Sequence, residues 1–167
     1  MMAGDARTAG RAVSVVMPMH NAASFIDATV SSIAEQTFSE PMELCVYDDA
    51  STDSSLAMLE AWRARLAQRD IDLVIGGAPA GTAARGCGYA SNRAVELSSA
   101  PLLCFLDADD EMKPERIVEQ VALARERGPM WLVGSDLVRD PPGSTARYID
   151  WLTSLSEGAR RCLCASG

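Results

Sequence analysis

The stretch that most constrains this chain is residues 102–110, Leu-Leu-Cys-Phe-Leu-Asp-Ala-Asp-Asp, where five apolar residues run directly into three carboxylates within four positions. An unbroken apolar run of that length is the pattern of a strand buried on both faces. Such a strand tolerates no charge in its middle, so the acids begin where the chain leaves the core. That gathers Asp107, Asp109 and Asp110 at the strand's C-terminal edge. Carboxylates so close repel, and they ionise together only with a cation among them. Mg²⁺ or Mn²⁺ suits the place, since either takes one or two carboxylates plus phosphate oxygens. A solvated acidic turn capping the next helix is the competing reading, and what precedes the stretch shifts the balance between them.

Residues 13–17 are short, β-branched and strand-like, and Pro18 closes them. His20, Asn21 and Ala22 make a turn, and Ser24 opens a helix with Asp27 three residues on, in a capping-box-like arrangement. Phe25, Ile26, Thr29, Val30 and Ile33 recur at helical spacing and mark its buried face. Pro41 ends the connection to a second strand, 42–47, which runs into a polar turn at 48–54 rich in cap residues. A helix over 54–68 turns Leu56, Leu59, Trp62 and Leu66 inward. Residues 71–75 form a third strand, and 76–88 a loop with five glycines, Pro79 and Arg85. A helix over 88–98 leads into the opening strand. Pro114 sits in the first turn of a helix that Gly128 and Pro129 stop. A further strand at 130–138, a turn at 140–143 and a short helix at 148–155 complete the chain.

This alternation predicts an α/β fold with a mostly parallel sheet, right-handed crossovers and helices on both faces. Ligands of such sheets bind outside the carboxyl ends of the strands. The polar clusters 18–21, 48–49 and 107–110 each follow a strand's C-terminal end, so three loops converge on one pocket. No G-x-G-x-x-G and no G-x-x-x-x-G-K-[ST] follows the first strand, which sets aside dinucleotide-binding and P-loop sites.

Composition narrows the class further. The 167 residues suit one domain with a real core. A formal net charge of −8 gives no broad electrostatic footprint for nucleic acid or an anionic membrane. No apolar run approaches the length of a membrane span, and 1–11 lacks the apolar stretch of a secretory signal. Among the five cysteines, Cys45 and Cys104 fall in strand-like runs, and Cys162 and Cys164 have no second pair to complete a zinc site. A reducing, cytoplasmic location is expected.

The motifs carry a resemblance. Val-Ser-Val-Val-Met-Pro-Met-His-Asn at 13–21, Tyr-Asp-Asp-Ala-Ser-Thr-Asp at 47–53, Asn92, and Leu-Asp-Ala-Asp-Asp at 106–110 resemble family-2 glycosyltransferases of the GT-A fold in order, spacing and chemistry. The likeness covers 13–112. Within that family, Ile-Gly-Gly at 75–77, Arg-Gly-Cys-Gly-Tyr-Ala-Ser-Asn at 85–92 and Arg-Asp-Pro-Pro-Gly-Ser-Thr-Ala-Arg-Tyr at 139–148 resemble the queuosine-tRNA galactosyltransferases. That narrower likeness implies UDP-galactose as donor and queuosine in a tRNA anticodon as acceptor, with no membrane involved.

The resemblance implies roles residue by residue. Pro18 and His20 match positions lining the uracil pocket. The family has Tyr or Phe where His20 stands, so a ring stacked on uracil and a surface-turn histidine both remain open. Asn21 holds the turn through a side-chain hydrogen bond. Asp49 matches the carboxylate that accepts the uracil N3–H, a charge-assisted bond. Asp48 positions the loop, and Asp53 caps a helix. Arg85 is either a contact for uracil or diphosphate, or a surface arginine. Asn92 orients the glycine-rich loop, and Ser91 departs from the Arg common before that Asn. Asp107 and Asp109 match the Asp-x-Asp motif: one meets ribose or sugar hydroxyls, and Asp109 or Asp110 binds Mn²⁺ or Mg²⁺, a Lewis acid for departing UDP.

The resemblance also implies an inverting reaction with a carboxylate general base. In the family that acid lies in the C-terminal half, so it is expected beyond Gly167, and Glu157 has no matching context. Accordingly 1–11 reads as a flexible N-terminus, 12–139 as the nucleotide-sugar domain, and 140–167 as the start of a truncated acceptor-side region. Nucleotide binding with weak or no transfer is the expectation for such a chain. A glycan, lipid or protein acceptor, and a non-catalytic UDP-sugar-binding subunit, are the alternatives.

Overall fold

The computed structural model describes residues 10–79, 81–128, 131–135 and 154. The chain divides into two compact units, 1–121 and 122–167, and everything that builds the site belongs to the first. The elements run β1 (Val13–Met19), α1 (Ile26–Ala34), β2 (Met42–Asp48), α2 (Ser55–Ala61), α3 (Arg63–Ala67), β3 (Ile71–Gly77), α4 (Cys87–Leu97), β4 (Leu102–Phe105) and α5 (Arg116–Arg127). The expected strand at 130–138 is described only at 131–135, which carry no strand. Apart from Ser154, which is helical, the expected helix at 148–155 lies outside the described residues.

The four strands are all parallel, in the order β3-β2-β1-β4. Side chains alternate across a strand. Val13, Val15, Met17 and Met19 of β1 therefore share one face with Met42, Leu44 and Val46 of β2, and they join a core with Ile26, Val30 and Ile33 of α1, Leu59 and Leu66 of α2 and α3, and Ile117 and Val121 of α5. Each such fully buried aliphatic side chain contributes about 1.5–3 kcal/mol. The other face takes α4, whose Ala90 and Ala94 are buried and whose Leu97 packs over Gly76 of β3.

Several local expectations give way to tertiary contacts. β1 does not stop at Pro18 but runs through it. Val16 accepts the Leu106 N–H on the β4 side, and Pro18 has the same orientation two residues on, where the pairing with β4 has already ended. Its missing N–H therefore breaks no ladder bond. No Ser24 cap forms: α1 begins at Ile26 without a side-chain cap. Two N–H groups ahead of it go to the segment after β2 instead, Ala22 N–H to Ser55 Oγ at the start of α2 at 2.7 Å and Ala23 N–H to Asp53 Oδ2 at 3.0 Å. Asp27 accepts the Trp62 indole N–H at 2.9 Å, which pins α1 to the α2–α3 junction. That junction divides the expected 54–68 helix into two, and Leu56 is 41% exposed rather than inward. The opening strand is not buried on both faces. β4 lies at an edge of the described sheet, with Leu103 43% and Phe105 54% exposed.

Candidate functional site

In the order β3-β2-β1-β4, chain progression reverses direction between β1 and β4. Parallel sheets open a crevice at such a reversal, outside the carboxyl ends of the strands. Here that crevice is a pocket of about 450 Å³. The end of β1 supplies Pro18, His20 and Asn21; the end of β2 supplies Asp49; the loop after β4 supplies Asp107 and Asp109. Of the eight residues the sequence singles out for donor binding, the fold thus brings six to one wall. Arg85 and Asn92 are not in that lining, and neither is Asp110. The Arg85 guanidinium lies 3.8 Å above the Tyr89 ring on α4, a cation–π contact that turns its charge to the helix. Asn92 sits in the second turn of α4, exposed.

Asp49 is the central carboxylate. It is 1% exposed. Its Oδ2 accepts the backbone N–H groups of Arg85 and Gly86, each at 2.7 Å, which fastens the glycine-rich loop to the end of β2. Its Oδ1 is buried with no hydrogen-bond partner. An unpaired buried carboxylate oxygen is costly unless something else supplies a donor. Gly86 sits at φ +97°, a conformation that favours glycine, and this delivers its N–H to Asp49.

His20 is held from the loop side. Its Nδ1–H donates to the Asp49 carbonyl at 2.7 Å, so Nε2 carries the lone pair and accepts from the Asn21 amide at 3.1 Å. Asn21, at φ +49°, accepts the Thr52 N–H through Oδ1 at 2.8 Å and donates its own N–H to Ser51 Oγ at 2.9 Å. It thereby ties the first loop to the second, the turn-holding role its residue type implies. Asp48 accepts the Ser51 N–H at 3.0 Å. Asp53 accepts the Ser55 N–H at 2.9 Å and also reaches Ala23. Hydrogen bonds from Ser55 hold its carboxyl below the usual carboxylate range.

The acidic loop is held from behind by a polar stripe on α1 and just beyond it. Thr29 Oγ1 donates to the Ala108 carbonyl at 2.9 Å, Ser32 Oγ accepts the Met112 N–H at 3.0 Å, and Gln36 donates to the Lys113 carbonyl at 2.9 Å while accepting the Ile117 N–H at 3.1 Å. These three residues are buried. Burial raises the Asp107 carboxyl above its ordinary pKa, and the charges of Asp110 and Asp109 push it further the same way. Among the described residues no group of three His, Cys, Asp or Glu side chains is arranged to hold a metal ion by itself. Two hard carboxylates on one wall nonetheless fit an ion that completes its shell from a ligand's phosphates, the usual habit of Mg²⁺.

The sequence reading missed other parts of the pocket. Phe25, placed among the buried residues of α1, is 49% exposed and lines the opening, because α1 begins only after it. Cys87, the first residue of α4, lines the pocket with its Sγ 3.9 Å from Asp107 Oδ1. Neither stands out by spacing. Only the folding of 84–87 against Asp49 brings the second one in.

Residues 14–159 match the family described as glycosyl transferase family 2, and the chain belongs to it. It is 31% identical over 110 residues to the amylovoran biosynthesis glycosyltransferase AmsB of Erwinia amylovora, which covers 66% of this chain and 35% of that protein. The structure superposes with a TM-score of 0.59 and 22% identity on Staphylococcus aureus TarS in complex with UDP, over 77% of this chain and 40% of the other. With the mannosyltransferase PcManGT of Pyrobaculum calidifontis, in complex with GDP-Man and Mn²⁺, the TM-score is 0.58 at 28% identity, over 82% of this chain and 38% of that one. The parallel sheet with helices on both faces is the GT-A-like α/β arrangement expected. The chain spans less than half the length of each of these proteins. Among the described residues no helix is long and apolar enough to cross a membrane.

Proposed function

We propose that this chain is the donor-binding domain of a glycosyltransferase that takes a UDP-sugar. The observation that carries the reading is Asp49, whose buried Oδ1 lacks a donor on the wall of a pocket that also presents Asp107 and Asp109. Uracil N3–H is a donor of the kind that oxygen lacks, and the bond is charge-assisted. Pro18 and His20 flank the same wall, with the imidazole fixed by the Asp49 carbonyl for a ring to pack against. Support comes from TarS, which binds UDP in its crystal structure.

In this reading the diphosphate and sugar extend from Asp49 toward Asp107 and Asp109. One of those carboxylates meets ribose or sugar hydroxyls, and Asp109 or Asp110 would hold Mn²⁺ or Mg²⁺. A divalent cation bound there supplies charge neutralisation for the departing diphosphate. The Asp49 clamp on Arg85 and Gly86 keeps the glycine-rich loop against the nucleotide, and Arg85 contributes through its backbone. Asn92 acts on the same loop from α4.

Galactose as the sugar, inversion at the anomeric carbon and queuosine in tRNA as the acceptor are the finer reading, resting on the residues at 85–92 and 139–148. With a net charge of −8 the domain attracts tRNA little, so in this reading it contributes donor binding rather than the main tRNA contacts. On its own the domain binds nucleotide and transfers weakly or not at all. A glycan or lipid acceptor is the second reading, favoured by the relative that serves amylovoran biosynthesis.

Calorimetric titration with UDP, GDP, CDP and ADP, with and without Mn²⁺, tests the donor. Preferential binding of UDP supports the reading. Guanine also presents N–H donors, so equal or tighter binding of GDP overturns it. Disrupting the gene and measuring glycosylated queuosine in tRNA tests the acceptor: unchanged tRNA moves the assignment to a glycan or lipid.

A further inference from the structure

We propose that Phe25 is the platform on which the donor's hexose lies, its ring packed against the C–H face of the sugar, so that this residue distinguishes a UDP-sugar from free UDP. The inference rests on the donor-pocket reading above and extends it from the nucleotide to the sugar. Phe25 is 49% exposed and lines the pocket. A single exposed phenylalanine on a surface needs no ligand to explain it. Among the described large hydrophobic residues that are exposed, however, only Phe25 borders this cavity. The rest of the apolar lining offers little surface: Pro18 and Met19 are buried, and Ala22, Ala84, Ala90 and Ala108 end in single methyl groups.

The position of the ring along the pocket follows from α1. Phe25 directly precedes Ile26, the first residue of that helix, and its carbonyl accepts the Thr29 N–H at 3.0 Å. One turn on, Thr29 Oγ1 holds the Ala108 carbonyl at 2.9 Å. Phe25 therefore borders the pocket on the side of the loop that carries Asp107 and Asp109, the end that receives the sugar when the base lies at Asp49. Its backbone is fixed as well. The Phe25 N–H donates to the Ala22 carbonyl at 2.9 Å, Ile26 beside it is buried, and Trp62 holds Asp27 in the first turn. A platform presented this firmly loses little freedom when a ligand settles on it.

A hexopyranose suits such a surface. Its hydroxyls stand around the rim, while C–H groups gather on one ring face as an apolar patch about as wide as a phenyl ring. Those C–H bonds are polarised positive by the neighbouring oxygens, and the face of an aromatic ring is negative, so the contact is favourable electrostatically as well as through burial. The carboxylates of Asp107 and Asp109 stay available to the rim hydroxyls and the diphosphate side. Free UDP ends before the ring and gains nothing from it.

The test titrates UDP, UDP-galactose, UDP-glucose and UDP-N-acetylglucosamine into the full chain in one Mn²⁺ buffer. It reads, for the UDP-sugar that binds most tightly, the ratio of its dissociation constant to that of UDP. Phe25→Leu keeps an apolar side chain without the flat face, and Phe25→Tyr keeps the ring. One ring face against a hexose withdraws on the order of 50 Å² of apolar surface from water, which corresponds to about five- to ten-fold in affinity. The ratio is expected to rise by that factor in Phe25→Leu and to stay at the wild-type value in Phe25→Tyr, with UDP affinity within about two-fold of wild type in both. A ring that serves only to pack the start of α1 weakens UDP and the UDP-sugar together and leaves their ratio unchanged. An unchanged ratio in Phe25→Leu, or a wild type that binds UDP but none of the three UDP-sugars, overturns this inference alone. A wild type that binds no UDP overturns the donor-site reading and this inference with it.

Discussion

Replacing Asp49 with Asn is the sharpest perturbation of the site. The side chain keeps its volume, and an amide oxygen placed where Oδ2 lies still accepts the Arg85 and Gly86 N–H groups, each now at 2.7 Å. The amide nitrogen then occupies the position of Oδ1, the atom without a partner. A donor would face the uracil N3–H, another donor, and the negative charge is gone. Loss of one hydrogen bond to a charged group is worth about 1.5–3 kcal/mol. With about 1.4 kcal/mol per decade, UDP binding weakens roughly ten- to hundred-fold. Cytosine has an acceptor at N3, so CDP binding improves relative to UDP. Isothermal titration of wild type and Asp49→Asn with UDP and CDP reads both effects, and thermal denaturation shows whether the loop clamp survives. UDP affinity within two-fold of wild type, with the fold intact, refutes the role of Asp49 in base recognition.

Other expectations are measurable on the same protein. Asp109→Asn removes one of the two carboxylates on the cation wall, so Mn²⁺ no longer enhances UDP affinity although binding without metal persists; titration in Mn²⁺ and in EDTA checks this. Ala50 adopts φ +60° at the turn after β2, a conformation that strains a side-chain-bearing residue by about 1–2 kcal/mol, partly offset in Gly by its greater unfolded-state entropy. Ala50→Gly therefore raises stability by up to about 1 kcal/mol, seen as a Tm a few degrees higher. Glu43 is buried, and although burial favours its neutral form, hydrogen bonds from Ser14, Ser99 and Ala100 outweigh that and hold its carboxyl below the ordinary value. A lowered folded pKa gives stability that is complete above the unfolded value of about 4.3 and disappears as pH falls through the folded value. Glu43→Gln should thus be less stable than wild type at pH 7, with the gap narrowing toward pH 3 in urea denaturation; a gap independent of pH contradicts it.

Glu43 also shows how far the acidic loop depends on contacts no local pattern announces. It sits on β2, yet Ser99 N–H at 2.5 Å and Ala100 N–H at 3.2 Å bind it from the connection that leads into β4. At the other end of β4, Thr29 grips the acidic loop at Ala108, and Ser32 and Gln36 grip the chain just after it. Thr29 was legible as part of a helix face, because apolar spacing marks that face. Ser32 and Gln36 were not, because a buried polar residue is recognised only by the partner it finds. The same holds for Asp27, which reads locally as half of a capping box and instead accepts a hydrogen bond from Trp62.

What the sequence by itself determined is the alternation of strands and helices and the placing of polar residues at strand ends. Both follow from short-range physics: apolar runs favour strands and polar residues favour the turns that end them, so Asp49 and Asp107 fall just past the ends of β2 and β4, even though β4 is exposed on one face and β2 buries Glu43. The tertiary structure alone decided what those residues face. Strand order set β1 between β2 and β4 and so opened the crevice between them. The fold of 84–87 against Asp49 turned Arg85 to Tyr89 and brought Cys87 and Gly86 to the pocket. Spacing along a chain specifies which residues share an element. Which oxygen is left without a donor depends on every group that packs around it.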